Sequence, residues 1–150
     1  MGKVFKVAVC IPCYGDAKAK FMHSLCQMMN HFHKANMTDE SGNQLEREIE
    51  VFIVSSSMLT ESRHRLVAEA LAWGADYMLW LDADHMFPAD TLARLWAHNL
   101  PVVGCNYARR CMPTAPTAAK HIDDDDDNRN LVYTSIEKAN AEELEKVDHL

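Results

Sequence analysis

A chain of 150 residues with 48% hydrophobic and 25% charged content has the balance of one ordinary soluble domain, 1–150, long enough to bury a core. Its formal charge of -7 excludes an overall basic surface of the kind that binds nucleic acid, although Arg63, Arg65, Arg109 and Arg110 can still build a local basic pocket. No apolar run reaches membrane-spanning length, the N-terminus lacks a signal-peptide layout, and five cysteines fit a reducing cytoplasm better than a disulfide framework.

In chain order, Lys3 to Ile11 is a short Val-rich run that stops at Pro12, the pattern of a first strand. Phe21, Leu25, Met28, Met29 and Phe32 recur at helical spacing and predict an amphipathic helix over 17–34. Residues 37–47 are polar and turn-rich, as in a surface loop or hairpin tip. Glu48 to Ser55 reads as a second strand. Leu66, Val67, Ala70 and Leu71 predict a helix that ends near Gly74. Tyr77 to Leu81 is an apolar run expected to be a strand buried on both faces. Pro88 and Asp90 open a further helix with Leu92, Leu95 and Trp96 on its buried side, and Leu100 to Cys105 is expected to be a fourth strand.

Strands alternating with helices imply βαβ units and a mainly parallel sheet covered on both faces. Beyond Asn106 the pattern weakens. Residues 108–130 read as a long loop, Leu131 to Thr134 as a short strand, and 137–147 carry helical propensity.

The apolar run ends in Asp82-Ala-Asp84-His85. In an extended chain residues i and i+2 point to one side, so the two carboxylates can converge on one cation, or one can take a metal and the other a sugar hydroxyl. Hard oxygen ligands suit Mg²⁺ or Mn²⁺ with a phosphorylated ligand rather than a closed zinc cage. The competing reading is a solvated turn, since Asp is common after strands. Against it, Pro12, Ser55 to Ser57 and Asp82 to His85 all fall at carboxyl ends of strands, the edge where parallel α/β sheets bind ligands.

Four stretches resemble the nucleotide-sugar half of GT-A glycosyltransferases, particularly bacterial and phage-type members related to the large inverting family. They are Val7-Ala-Val-Cys-Ile-Pro-Cys-Tyr14, Ser62-Arg-His-Arg-Leu-Val67, Leu79-Trp-Leu-Asp-Ala-Asp-His85 and Val102-Val-Gly-Cys-Asn-Tyr-Ala-Arg109. They occur in the family's order and span residues 4 to about 110. The resemblance implies a three-layer Rossmann-like α/β fold and metal-dependent transfer from a nucleotide sugar, most plausibly a UDP-sugar, to a glycan, lipid or protein acceptor. Pro12 and Tyr14 would line the base pocket with Ser57 nearby, and Arg63 would reach the base or diphosphate. Asp82 would contact the ribose or metal, and Asp84 would hold Mn²⁺ or Mg²⁺ against the two phosphates. His64 stands where the family has Asn. The acceptor half, which carries the general base in inverting members, would lie beyond Leu150. Such a truncation predicts an exposed apolar edge and self-association.

Other readings compete with transfer. One is a domain that holds a nucleotide without turnover. Another is nucleotidyl transfer, poorly matched because Tyr14-Gly-Asp-Ala-Lys-Ala-Lys20 has one glycine. Cys10-Ile-Pro-Cys13 offers a thiol redox pair, or a zinc site with Cys105 and Cys111, though buried inert thiols suit a strand end better. Asp123 to Asp127 lacks the glycine turn and terminal Glu of a calcium loop and reads as a solvated tip. Arg109 and Arg110 would close over a diphosphate or stand as exposed loop charges.

Overall fold

The computed structural model describes residues 4–36, 38, 42 and 44–105, together with the backbone of 119–125 and 128–133. The chain divides into two compact units, Met1–Pro101 and Val102–Leu150. The first is a mixed α/β unit. In it β1 (Phe5–Cys13), α1 (Ala19–Lys34), β2 (Arg47–Ser55), α2 (Leu59–Trp73), β3 (Tyr77–Trp80) and α3 (Thr91–Ala97) follow one another. The strands form a parallel sheet in the order β2-β1-β3.

Register explains the two cores. Val7 pairs with Ile49 and Tyr77, and Val9 with Val51 and Leu79, so the odd-numbered residues share one face. Phe5, Val7, Val9, Ile11 and Leu79 pack there with Phe21, Leu25, Met28 and Phe32 of α1 and Leu92 of α3. On the even face Ala8, Cys10 and Val54 pack against Leu66 and Ala70 of α2. Helices therefore cover both faces, as the alternating pattern predicts.

Pro12 does not end the first strand. It lies within β1, opposite Val54. Backbone parity supplies the reason. Cys13 accepts from Ser56 on the β2 side, and Cys10 accepts from Leu81 on the β3 side. The missing N–H of Pro12 thus falls on the β3 side, beyond the last rung that β3 offers, and no ladder hydrogen bond is lost.

β3 departs from expectation in another way. It stops at Trp80, and Tyr77 is 46% and Trp80 40% exposed, so this run is not buried on both faces. Among the described residues β3 pairs with β1 alone. Tyr77 instead leans on Phe5 and Trp96, each with ring centroids 5.2 Å away. Residues 100–105 form no strand. Asn99 turns the chain with φ 47°, and Pro101 removes a donor, which breaks the extension that a ladder needs. The helices follow the sequence more closely. α2 ends on Gly74 at φ 81°, whose N–H reaches back to the last turn. Leu71, however, points outward and is 60% exposed. Arg47 caps the other helix, donating to the carbonyls of His33 and Ala35.

In the second unit, β4 (Ala119–Asp125) and β5 (Asn128–Tyr133) pair antiparallel. Part of the expected loop 108–130 is therefore strand, and β5 begins before the expected Leu131. The helical stretch 137–147 lies outside the described residues. Among the described residues, no helix is long and apolar enough to cross a membrane.

Asp76 starts β3 on β1 through two bonds to one residue. Its N–H donates to the Lys6 carbonyl at 2.9 Å, and its Oδ2 accepts from the Lys6 N–H at 3.0 Å. Asp76→Ala leaves that amide without its acceptor and is expected to lower stability by about 1–2 kcal/mol in urea unfolding. Asp76→Asn, which keeps an oxygen there, is expected to recover part of the loss.

Candidate functional site

The ends of three parallel strands meet at one edge. Chain order leads from β1 to β2 on one flank and then across to β3 on the other, so the strand order reverses at β1 and β3. Open α/β sheets bind ligands outside the carboxyl ends of their strands at such a reversal.

Each strand delivers candidate residues there. Pro12 is buried within β1, while Tyr14, just beyond its end, is 80% exposed. After β2, Ser56 is engaged in the local turn, its Oγ accepting from the Met58 N–H at 3.1 Å. Ser57 is left exposed beside it. Ser62 is buried and its hydroxyl donates to the Met58 carbonyl, stitching the first turn of α2. Arg63 follows on the same helix with its side chain exposed. The structure thus places Pro12, Tyr14, Ser57, Arg63, Asp82 and Asp84 at the carboxyl-end edge of the sheet.

The carboxylate stretch is built differently from the extended chain expected of it. Leu81 donates to Cys10 as the last rung of the sheet, and Asp82 is the first residue beyond it. The chain then turns, with the His85 N–H donating to the Asp82 carbonyl at 3.2 Å. Inward and outward positions nevertheless alternate. Leu81, Ala83 and Phe87 pack against the core, whereas Asp82, Asp84 and Met86 are exposed. Both carboxylates therefore reach solvent because their neighbours are anchored by burial. His85 joins them, its Nδ1 3.8 Å from Asp82 Oδ2 and its Nε2 4.0 Å from Asp84 Oδ1. Both separations are too long for hydrogen bonds.

The donor set suits a hard divalent cation of a particular kind. Among the described residues no group of three or more His, Cys, Asp or Glu gathers as a metal cage. Mg²⁺ and Mn²⁺ are commonly held by one or two carboxylates together with ligand phosphates and water, and Asp82 and Asp84 fit that arrangement.

The cysteine readings fare differently. Cys10 and Cys13 are three residues apart in a strand, so their side chains leave on opposite faces. Both are free and buried, with Cys10 Sγ 3.9 Å from the Ala8 carbonyl and Cys13 Sγ 3.3 Å from the Gly15 carbonyl. A redox pair, and a zinc ion shared by both, require them on one side. Cys105 is exposed. Cys111, Arg109 and Arg110 lie outside the described residues, as do the side chains of Asp123 to Asp127.

Sequence patterning missed what holds the carboxylate turn. The Lys18 N–H, at the start of α1, donates to the Ala83 carbonyl at 3.0 Å. The Phe87 N–H donates to Ser24 Oγ at 3.3 Å. One signal was available: Ser24 interrupts the buried stripe of Phe21, Leu25, Met28 and Phe32, and a buried hydroxyl needs a partner.

No protein-family model, no curated protein and no solved structure matches this chain.

Burial, with Glu69 adding to it, pushes the Cys10 thiol from 9.0 up to about 11. Between these values an unfolded chain has released the proton while the folded one retains it, so stability falls as pH rises through this window. The loss in wild type between pH 8.5 and 10.5 is expected to exceed that of Cys10→Ala by about 1–2 kcal/mol, measured by urea unfolding. Equal losses would mean that the thiol is not held in its neutral form.

Proposed function

We propose that this chain is a metal-dependent glycosyltransferase of the GT-A kind, its described sheet being part of a Rossmann-like nucleotide-sugar domain and its donor most plausibly a UDP-sugar. The observation that carries this reading is the exposed pair Asp82 and Asp84 at the β3 end, on the edge that also presents Tyr14, Ser57 and Arg63. The order of the four resembling stretches supports it further.

On this reading Tyr14 offers a ring face to the base, and Ser57 lies beside it. Arg63 presents a planar donor fork that suits phosphate oxygens. Asp82 and Asp84 hold Mn²⁺ or Mg²⁺ and, through Asp82, the ribose. When bound, that cation neutralises the charge that builds on the departing nucleoside diphosphate. The protein's own part is to fix the donor so that an acceptor hydroxyl can approach the anomeric carbon. The aspartates stay partly in water, which spares them the desolvation penalty of a buried charge pair.

Calorimetric titration of UDP tests the reading. Binding is expected with Mn²⁺ present, with loss of at least tenfold in affinity on chelation and a similar loss in Asp84→Ala, which removes one of two carboxylate ligands. Binding that ignores both the cation and Asp84 would sink it. Tight binding without turnover of any UDP-sugar would favour the nucleotide-holding alternative.

A further inference from the structure

We propose that Ser24, on the buried stripe of α1, is a positioning residue that sets the geometry of the Asp82–Asp84 turn. The inference rests on the reading of those aspartates as cation ligands. The turn is hung from α1 at two points. One is the Ala83 carbonyl on the Lys18 N–H at 3.0 Å, and the other is the Phe87 N–H on Ser24 Oγ at 3.3 Å. The anchors bracket Asp84 and His85 in sequence and lie six residues apart on the helix. Between them the rings of Phe21 and Phe87 meet edge to face, with centroids 5.9 Å apart.

Their chemistry differs in a way that singles out Ser24. The Lys18 anchor is backbone and survives any side-chain replacement. The Ser24 anchor is a hydroxyl, 6% exposed, on a face otherwise made of Phe21, Leu25, Met28 and Phe32. A small polar side chain among such neighbours stands out unless its bond is worth keeping. What it holds is the descending arm of the turn. Beyond β3 the turn is drawn together by the bond from the His85 N–H to the Asp82 carbonyl at 3.2 Å. Releasing Phe87 frees that arm, and with it the relative placement of two carboxylates that must meet one ion. Groups that orient metal ligands from outside the coordination sphere typically change affinity by about 10–100-fold when removed.

The experiment compares wild type, Ser24→Ala, Ser24→Thr and Asp84→Ala, all under conditions where circular dichroism shows each variant fully folded. The first measurement is amide hydrogen exchange at His85 and Phe87. The second is the affinity for Mn²⁺ alone, from the electron paramagnetic resonance signal of the free ion. Ser24→Ala is expected to speed exchange at both amides at least tenfold and to weaken Mn²⁺ about tenfold, with Ser24→Thr restoring both because it keeps the hydroxyl. A merely destabilising change would leave the Mn²⁺ affinity of the folded protein untouched. If Ser24→Ala binds Mn²⁺ like wild type while Asp84→Ala does not, the role of Ser24 is overturned and the cation site stands. If Asp84→Ala also binds like wild type, or wild type takes up no Mn²⁺, the cation reading fails and the proposal fails with it.

Discussion

Eight of the nine residues of β1 are buried, and much of the unit follows from satisfying that one strand. A strand hidden on both faces needs an apolar layer above and below it, and its backbone needs partners on both edges. The helices provide the layers, α1 and α3 on the odd face and α2 on the even face. The edges are filled by β2 over the whole length of β1 and by β3 over Val7 to Cys10 only. This inequality matters at the carboxyl end. Past Cys10 the flank toward β3 has no further strand residues, so Pro12 fits there without loss and the chain leaving β3 is free to turn.

The turn is thus a consequence of a short edge strand beside a long central one. Once Leu81 has made the last rung, the next residues must find their support elsewhere. They find it in α1, through one backbone bond, one hydroxyl and the packing of Ala83 and Phe87. Packing of Leu81, Ala83 and Phe87 against the core then pushes Asp82, Asp84 and Met86 outward. The same alternation that makes strands amphipathic persists past the end of the strand, now enforced by tertiary packing rather than by extended backbone. α1 thereby has two tasks. Its apolar stripe covers the odd face, and its first turns carry the loop that bears the carboxylates.

Much of this was legible in the residues. Lys3 to Ile11 carries the pattern of a strand, found at Phe5–Cys13, and Phe21, Leu25, Met28, Met29 and Phe32 that of one helix face, found in α1. Gly74 marked a left-handed cap because no other residue adopts that conformation as readily. The failures share a cause, which is that local pattern does not report which neighbours exist. Tyr77 to Leu81 looks doubly buried by composition, yet Tyr77 and Trp80 are half in solvent at the rim of the described sheet. Leu71 continues a helical stripe in sequence but falls outside the contact made by Leu66 and Ala70. Leu100 to Cys105 has strand composition, and the positive φ of Asn99 with Pro101 overrides it. Residues 108–130 read as loop from their charges and prolines, whereas the pairing of 119–125 with 128–133 depends on backbone bonds that composition does not encode. At the candidate site, Asp82 and Asp84 announce themselves, while Ser24 requires knowing that position 87 comes to rest against it.

Two short motifs at neighbouring strand ends show how environment, more than residue type, decides which chemistry is open. Cys10 and Cys13 lie inside β1, where alternation sends them to opposite faces and burial holds the Cys10 proton on its sulfur. A thiol so placed is a poor nucleophile and a poor ligand, because both roles need the thiolate. Asp82 and Asp84 lie two and four residues beyond β3, where the same alternation sends both outward, 50% and 36% exposed. Carboxylates there keep part of their water, and on the proposed reading they share a cation that keeps part of its own. That difference makes the pairing of two motifs on adjacent strands asymmetric. The cysteines belong to the core within β1, and the aspartates stand exposed at the edge just past β3.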